Sequence, residues 1–195
     1  MRNDMNKQNK FSWLRSIWLV TLSSLITLAA YIASFLLIMF IVAATEDQQF
    51  LRFFLVGLVC MIGYVFLLNH MMHNRDDTAD SMEREYRNDT YTGRKDDFVR
   101  MLRQEYPVYA VMLIVIFLTH LSGLLSPGTG TWEVLYMPLD IMVSAFDLIL
   151  PETAAALLSF LFHLFQPAIC IALTMHKRKK ALETLVRNGQ IRTQT

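Results

Sequence analysis

Five polar side chains punctuate one apolar stretch of this chain: Ser159, His163, Gln166, Cys170 and Thr174. Their separations of four, three, four and four residues place them on one face of an α-helix. Pro167 brings no N–H to the carbonyl of His163. That carbonyl, the imidazole and the Gln166 amide therefore gather at one kink. An unpaired polar group in hydrocarbon costs several kcal/mol, so this face must look inward or toward water. Two chemistries follow. His163 could titrate and Gln166 hydrogen-bond at a proton, ion or small-solute site. Alternatively the stripe is interhelical glue, facing Ser23, Thr27 and Ser34 of an earlier helix, at about 0.6–2 kcal/mol per bond. The sequence favours glue, because neutral His and Gln are familiar polar groups of bundle cores.

A second group is His70, His73 and Asp77. If one helix runs through all three, the i, i+3, i+7 spacing gives two imidazoles and a carboxylate on one face, a set that suits a divalent metal ion. His-x-x-His is short and common by chance, so the competing expectation is a solvated helix end with no cofactor. A third group, Glu133, Asp140 and Asp147, is spaced by sevens. It would collect cations at a pore mouth or form the wet face of an interfacial helix. His120 could join it. The chain has no glycine-rich phosphate loop, no Gly-x-Ser-x-Gly and no His-Glu-x-x-His.

The elements that must carry these residues are long and apolar. Of the 18 lysines and arginines, all but Arg52 precede Ile17, lie between Met71 and Glu105, or follow Met175. Between those islands run uncharged stretches of membrane-spanning length, while the other connections hold Glu46, Asp47, Glu133, Asp140, Asp147 and Glu152. This alternation predicts an all-α integral membrane protein with four transmembrane helices at 17–44, 50–70, 107–125 and 152–175. Both termini and the 71–106 segment are expected in the cytoplasm, at the cell membrane. Residues 132–150 read as a short extracytoplasmic interfacial or re-entrant helix, since Pro138 leaves about 20 Å of helix, too little to cross. Residues 176–195 form the cytoplasmic tail. All 195 residues make one membrane domain.

Within 71–106, Phe98, Met101, Leu102 and Tyr106 read as the apolar face of an amphipathic helix. Pro107 then either opens the third span or lies within one continuous helix. Ser23, Thr27, Ala30 and Ser34 on the first span, and Gly57, Cys60 and Gly63 on the second, form small-residue faces for close helix packing. The lipid bilayer is therefore the first partner. A homo- or hetero-oligomer through these faces is the second. No basic stripe with interleaved aromatics suggests nucleic acid. Cys60 and Cys170, each inside an apolar run, read as small buried side chains.

The function expected from these features is a non-enzymatic accessory or scaffold subunit of a membrane complex. The alternatives are a small oligomeric transporter or channel with its path along the fourth span, and a metal-dependent membrane enzyme using His70, His73 and Asp77.

Overall fold

The computed structural model describes residues 12–41, 49–73, 75–86, 91, 93–125 and 145–191. Six helices account for most of them: α1 (Trp13–Ile41), α2 (Gln49–Met72), α3 (Arg75–Tyr86), α4 (Arg94–Leu125), α5 (Glu152–His163) and α6 (Phe165–Arg187). The fold among the described residues is all-helical. Four stretches are long and apolar enough to cross a membrane: α1, α2, α4, and α5 with α6 as one interrupted unit.

Local chemistry sets the boundaries. Ser12 starts α1, its Oγ accepting from the Arg15 N–H at 3.2 Å, as an N-cap does. α6 ends in a Schellman turn. Gly189 takes φ +70°, the Gln190 N–H reaches the Leu185 carbonyl at 2.9 Å, and the Gly189 N–H reaches Val186 at 3.0 Å. Pro107 lies inside α4, so one helix of 32 residues joins the polar segment to the third span. The α5–α6 unit is interrupted at Leu164. Pro167 supplies no N–H to the His163 carbonyl and crowds it, which accounts for a break at this point.

α1 packs on α2 and α4, α2 on α6, and α4 on α5 and α6. The long helices thus form a four-cornered bundle with α1 diagonal to α5–α6. Val20, Tyr64, Val65, Leu68, Val108, Met112 and Ile116 fill its centre, with Cys170 among them. At one end Phe146 and Ala155 pack with Phe50, Phe54 and Phe162. At the other, α3 lies on α6, joined by Met82, Tyr86, Leu182 and Leu185. Burying each such side chain contributes roughly 1.5–3 kcal/mol in water, and less where the alternative surroundings are lipid.

The four residues of the expected apolar face of α4 divide: Met101 is buried and Leu102 half-buried. Phe98 and Tyr106 are exposed, and the buried stripe runs Asp97, Met101, Glu105, Val108, Met112. Acids outcompete aromatics there because each finds a partner inside. The condition set for His70, His73 and Asp77, one helix running through all three, is not met: α2 stops at Met72 and α3 begins at Arg75.

Ser23, Thr27, Gly57 and Cys60 are buried within the chain's own bundle. Ser23 Oγ donates to Met71 Sδ at 3.4 Å across the α1–α2 contact. Gly63 is exposed, with open space around its Cα.

Candidate functional site: a buried polar file

The fourth-span stripe is fully internal. Ser159, His163, Gln166, Cys170 and Thr174 all measure 0 % exposed. Its partners come from α2 and α4. Near the aromatic end, His120 of α4 faces Ser159 and His163 of α5. His120 Nδ1 is 2.8 Å from the Ile116 carbonyl, and its Nε2 is 3.3 Å from Ser159 Oγ. His163 Nδ1 is 2.8 Å from the Ser159 carbonyl and 3.3 Å from Ser159 Oγ.

These contacts assign the tautomers. A carbonyl only accepts, so both rings carry hydrogen on Nδ1. The Ser159 hydroxyl then donates to His120 Nε2 and accepts from His163. This leaves His163 Nε2 as a lone-pair acceptor, buried without a hydrogen-bond partner. Both amide atoms of Gln166, three residues on, are likewise buried and unpartnered. The two rings are close, 5.2 Å between centroids. A pocket of about 320 Å³ opens beside His120, between Phe117 and Phe160, with Thr153 at its edge.

Farther along, Asn69 of α2 donates to Thr174 Oγ1 at 2.8 Å and lies 3.4 Å from the Cys170 carbonyl. Lys177 Nζ reaches the carbonyls of His73 and Asn69 at 3.2 and 3.4 Å. A cation there satisfies the open end of α2 and complements its dipole. The Tyr109 hydroxyl donates to Glu105 Oε2 at 2.9 Å. His73 Nε2 stands 3.3 Å from the same oxygen, without hydrogen-bond alignment.

The file closes in an ionic cluster. Arg178 Nε donates to Asp97 Oδ1 at 3.0 Å, and Arg178 Nη2 donates to Glu85 Oε2 at 2.8 Å. The Tyr86 hydroxyl donates to Asp97 at 3.2 Å, and the Arg100 guanidinium lies 5.1 Å over the Tyr86 ring. Burial, then the Asp97 carboxylate, hold the Tyr86 phenol above its ordinary range. Tyr91 shifts the same way for the same two reasons.

No protein-family model, curated protein or solved structure matches this chain.

The other sequence-derived groups fare differently. His70 is exposed, whereas His73 is buried against Glu105. The two imidazoles therefore face different surroundings, and the Asp77 side chain lies outside the described residues. Among the described residues, no group of three or more His, Cys, Asp or Glu is arranged to hold a metal ion. Glu133 and Asp140, with most of the expected 132–150 helix, also lie outside them. Asp147 is described and exposed, in a turn after Ala145 and Phe146.

The glue expectation pointed at the first span. The stripe instead meets α4 and α2, with α1 on the far diagonal. Sequence reading missed Asn69, Asp97, Glu105 and Arg178. The spacing Asp97–Met101–Glu105–Val108–Met112 was a signal for two of them, because it is one continuous helical face.

Proposed function

We propose that this chain is a multi-pass membrane protein acting as a small transporter- or channel-type subunit, holding and passing a proton or a small hydrogen-bonding solute along α5–α6. One observation carries the reading: His163 Nε2 and the Gln166 amide are buried, unpartnered and on one face at the α5–α6 break. An acceptor beside an amide that both donates and accepts suits water or a solute of similar chemistry. Ionisable and polar groups at such depth are costly to keep for packing alone. Four apolar helices and the basic islands support a bilayer as solvent, crossed four times with both ends in the cytoplasm.

A second reading is a scaffold or accessory subunit, in which the file only holds the bundle. The Asn69–Thr174 and Arg178–Asp97 pairs favour it, since each finds its partner within the chain. Liposomes separate the two. Proton and solute flux is measured for the wild type and His163→Ala, beside thermal unfolding of each. Flux lost from protein that still folds supports transport. Flux equal to that of empty vesicles for the wild type, with lower stability for the variant, leaves the scaffold reading.

A further inference from the structure

The start of α4 and the middle of α6 enclose an open groove of about 740 Å³. Its floor is apolar: Phe98 on one side, and Ala168, Ile171, Ala172 and Met175 on the other. The α6 positions follow a three-and-four spacing, so they form one straight strip. Two alanines in that strip leave the wall concave. The rim is basic, formed by Arg94, Lys95, His176 and Lys179. Among the described residues, no acid lines the groove. Asp96 pairs with Arg100 at 3.1 Å, and Asp97 points inward to Arg178. Glu183 stands 3.8 Å from Lys179 at the rim, with both side chains largely exposed. Such a pair is weak and leaves Lys179 able to exchange partners.

We propose that this groove binds one anionic phospholipid from the leaflet on the side of the 71–105 segment. The proposal rests on the membrane reading above and on charge complementarity. The floor-to-rim change falls at Met175–His176, where the apolar run of α6 gives way to charge. A phospholipid changes character at the same level, from acyl chain to phosphate. The acyl chain lies along Ala168 and Ala172, and the headgroup phosphate meets Lys95, Lys179 and Arg94. Arginine offers paired donors to phosphate and lysine a point charge, so the rim fits a phosphodiester of net negative charge better than a zwitterionic headgroup. A soluble anion would use the rim and leave the floor unoccupied.

The test uses the full chain in detergent, titrated separately with phosphatidylglycerol, phosphatidylcholine and inorganic phosphate, and read by native mass spectrometry and thermal shift. Phosphatidylglycerol is expected to stay bound and to raise the melting temperature, more so at low salt. Phosphatidylcholine and inorganic phosphate are expected to do neither. Lys95→Gln with Lys179→Gln should weaken phosphatidylglycerol binding about thirtyfold, with lipid-free melting little changed. Ala172→Leu, which fills the floor and keeps every charge, should lose binding as well. Equal response to the two lipids, or phosphatidylglycerol binding unaltered in both variants, overturns the proposal. Flotation with pure phosphatidylcholine liposomes tests the membrane reading separately. A protein that floats yet does not discriminate between lipids defeats the groove alone. One that fails to float defeats both.

Discussion

Arg178 on α6 donates to Asp97 on α4 at 3.0 Å, and both side chains are withdrawn from solvent, Arg178 to 2 % exposure. The pair joins the two helices that carry the acidic and basic ends of the polar file. Glu85 adds a third helix. Removing one member leaves an uncompensated buried charge. Arg178→Ala should therefore cost about 3–5 kcal/mol, and Asp97→Ala a similar amount. The double variant should cost clearly less than the sum. Reversible unfolding of the four proteins in one detergent measures this, and additive losses would show that the pair does not act as a unit.

Gln166 gives the sharpest test of transport. Both of its amide atoms are buried without partners. Replacing it by Leu removes that burden at similar size, so Gln166→Leu should unfold no more easily than wild type and could gain about 1–3 kcal/mol. Flux in liposomes should fall to background. A variant that loses stability and keeps flux would mean that the amide has a structural partner and no solute.

Asn69 and Thr174 should behave as ordinary interhelical bonding. Asn69→Leu and Thr174→Val should each cost about 0.6–2 kcal/mol, with the second substitution adding little to the first. A cost well above that range from Asn69→Leu would point to its carbonyl contacts and packing as the larger contribution.

The Tyr86 phenol has a folded-state pKa raised above its ordinary value of 10.0 by burial and by Asp97. A raised value means that the folded state binds the phenolic proton more tightly. The stabilisation is complete below pH 10 and is lost as pH climbs toward the raised value. Wild type should thus lose stability above pH 10 more steeply than Tyr86→Phe, as unfolding at several alkaline pH values would show. Equal slopes would remove Tyr86 as the cause.

Membrane orientation has its own test. Reporter fusions at Asp89 and Thr129 should report opposite sides, with Asp89 cytoplasmic. The same side for both would break the four-span reading.

Much of the scaffold was legible because apolar length and charge spacing are local properties. The four long helices, the stripe from Ser159 to Thr174 and the break near Pro167 all follow from residues within a few turns of one another. What was not legible depends on pairing between distant helices. Asp97 and Glu105 look solvent-facing in the sequence, and Arg178 looks like one more charge in a basic run. Only the approach of α3 and α6 to α4 makes burial of Asp97 and Arg178 affordable, while Glu105 is met by Tyr109 of its own helix and by His73 just past α2. The direction of the fourth-span stripe was missed for the same reason. Periodicity says which residues share a face and not which helix that face meets. His73 illustrates it further: it lies between the end of α2 and the start of α3, beside Glu105.

The position of α6 in the chain has a consequence for biogenesis. A ribosome makes α2, α3 and α4 first, each carrying a group that the finished bundle satisfies from α6: Asn69 through Thr174, and Glu85 and Asp97 through Arg178. Until α6 is synthesised and docks, those groups have no such outlet. Chains truncated before α6 should therefore hold α2, α3 and α4 together less firmly than the full chain, because Asn69, Glu85 and Asp97 lack those partners.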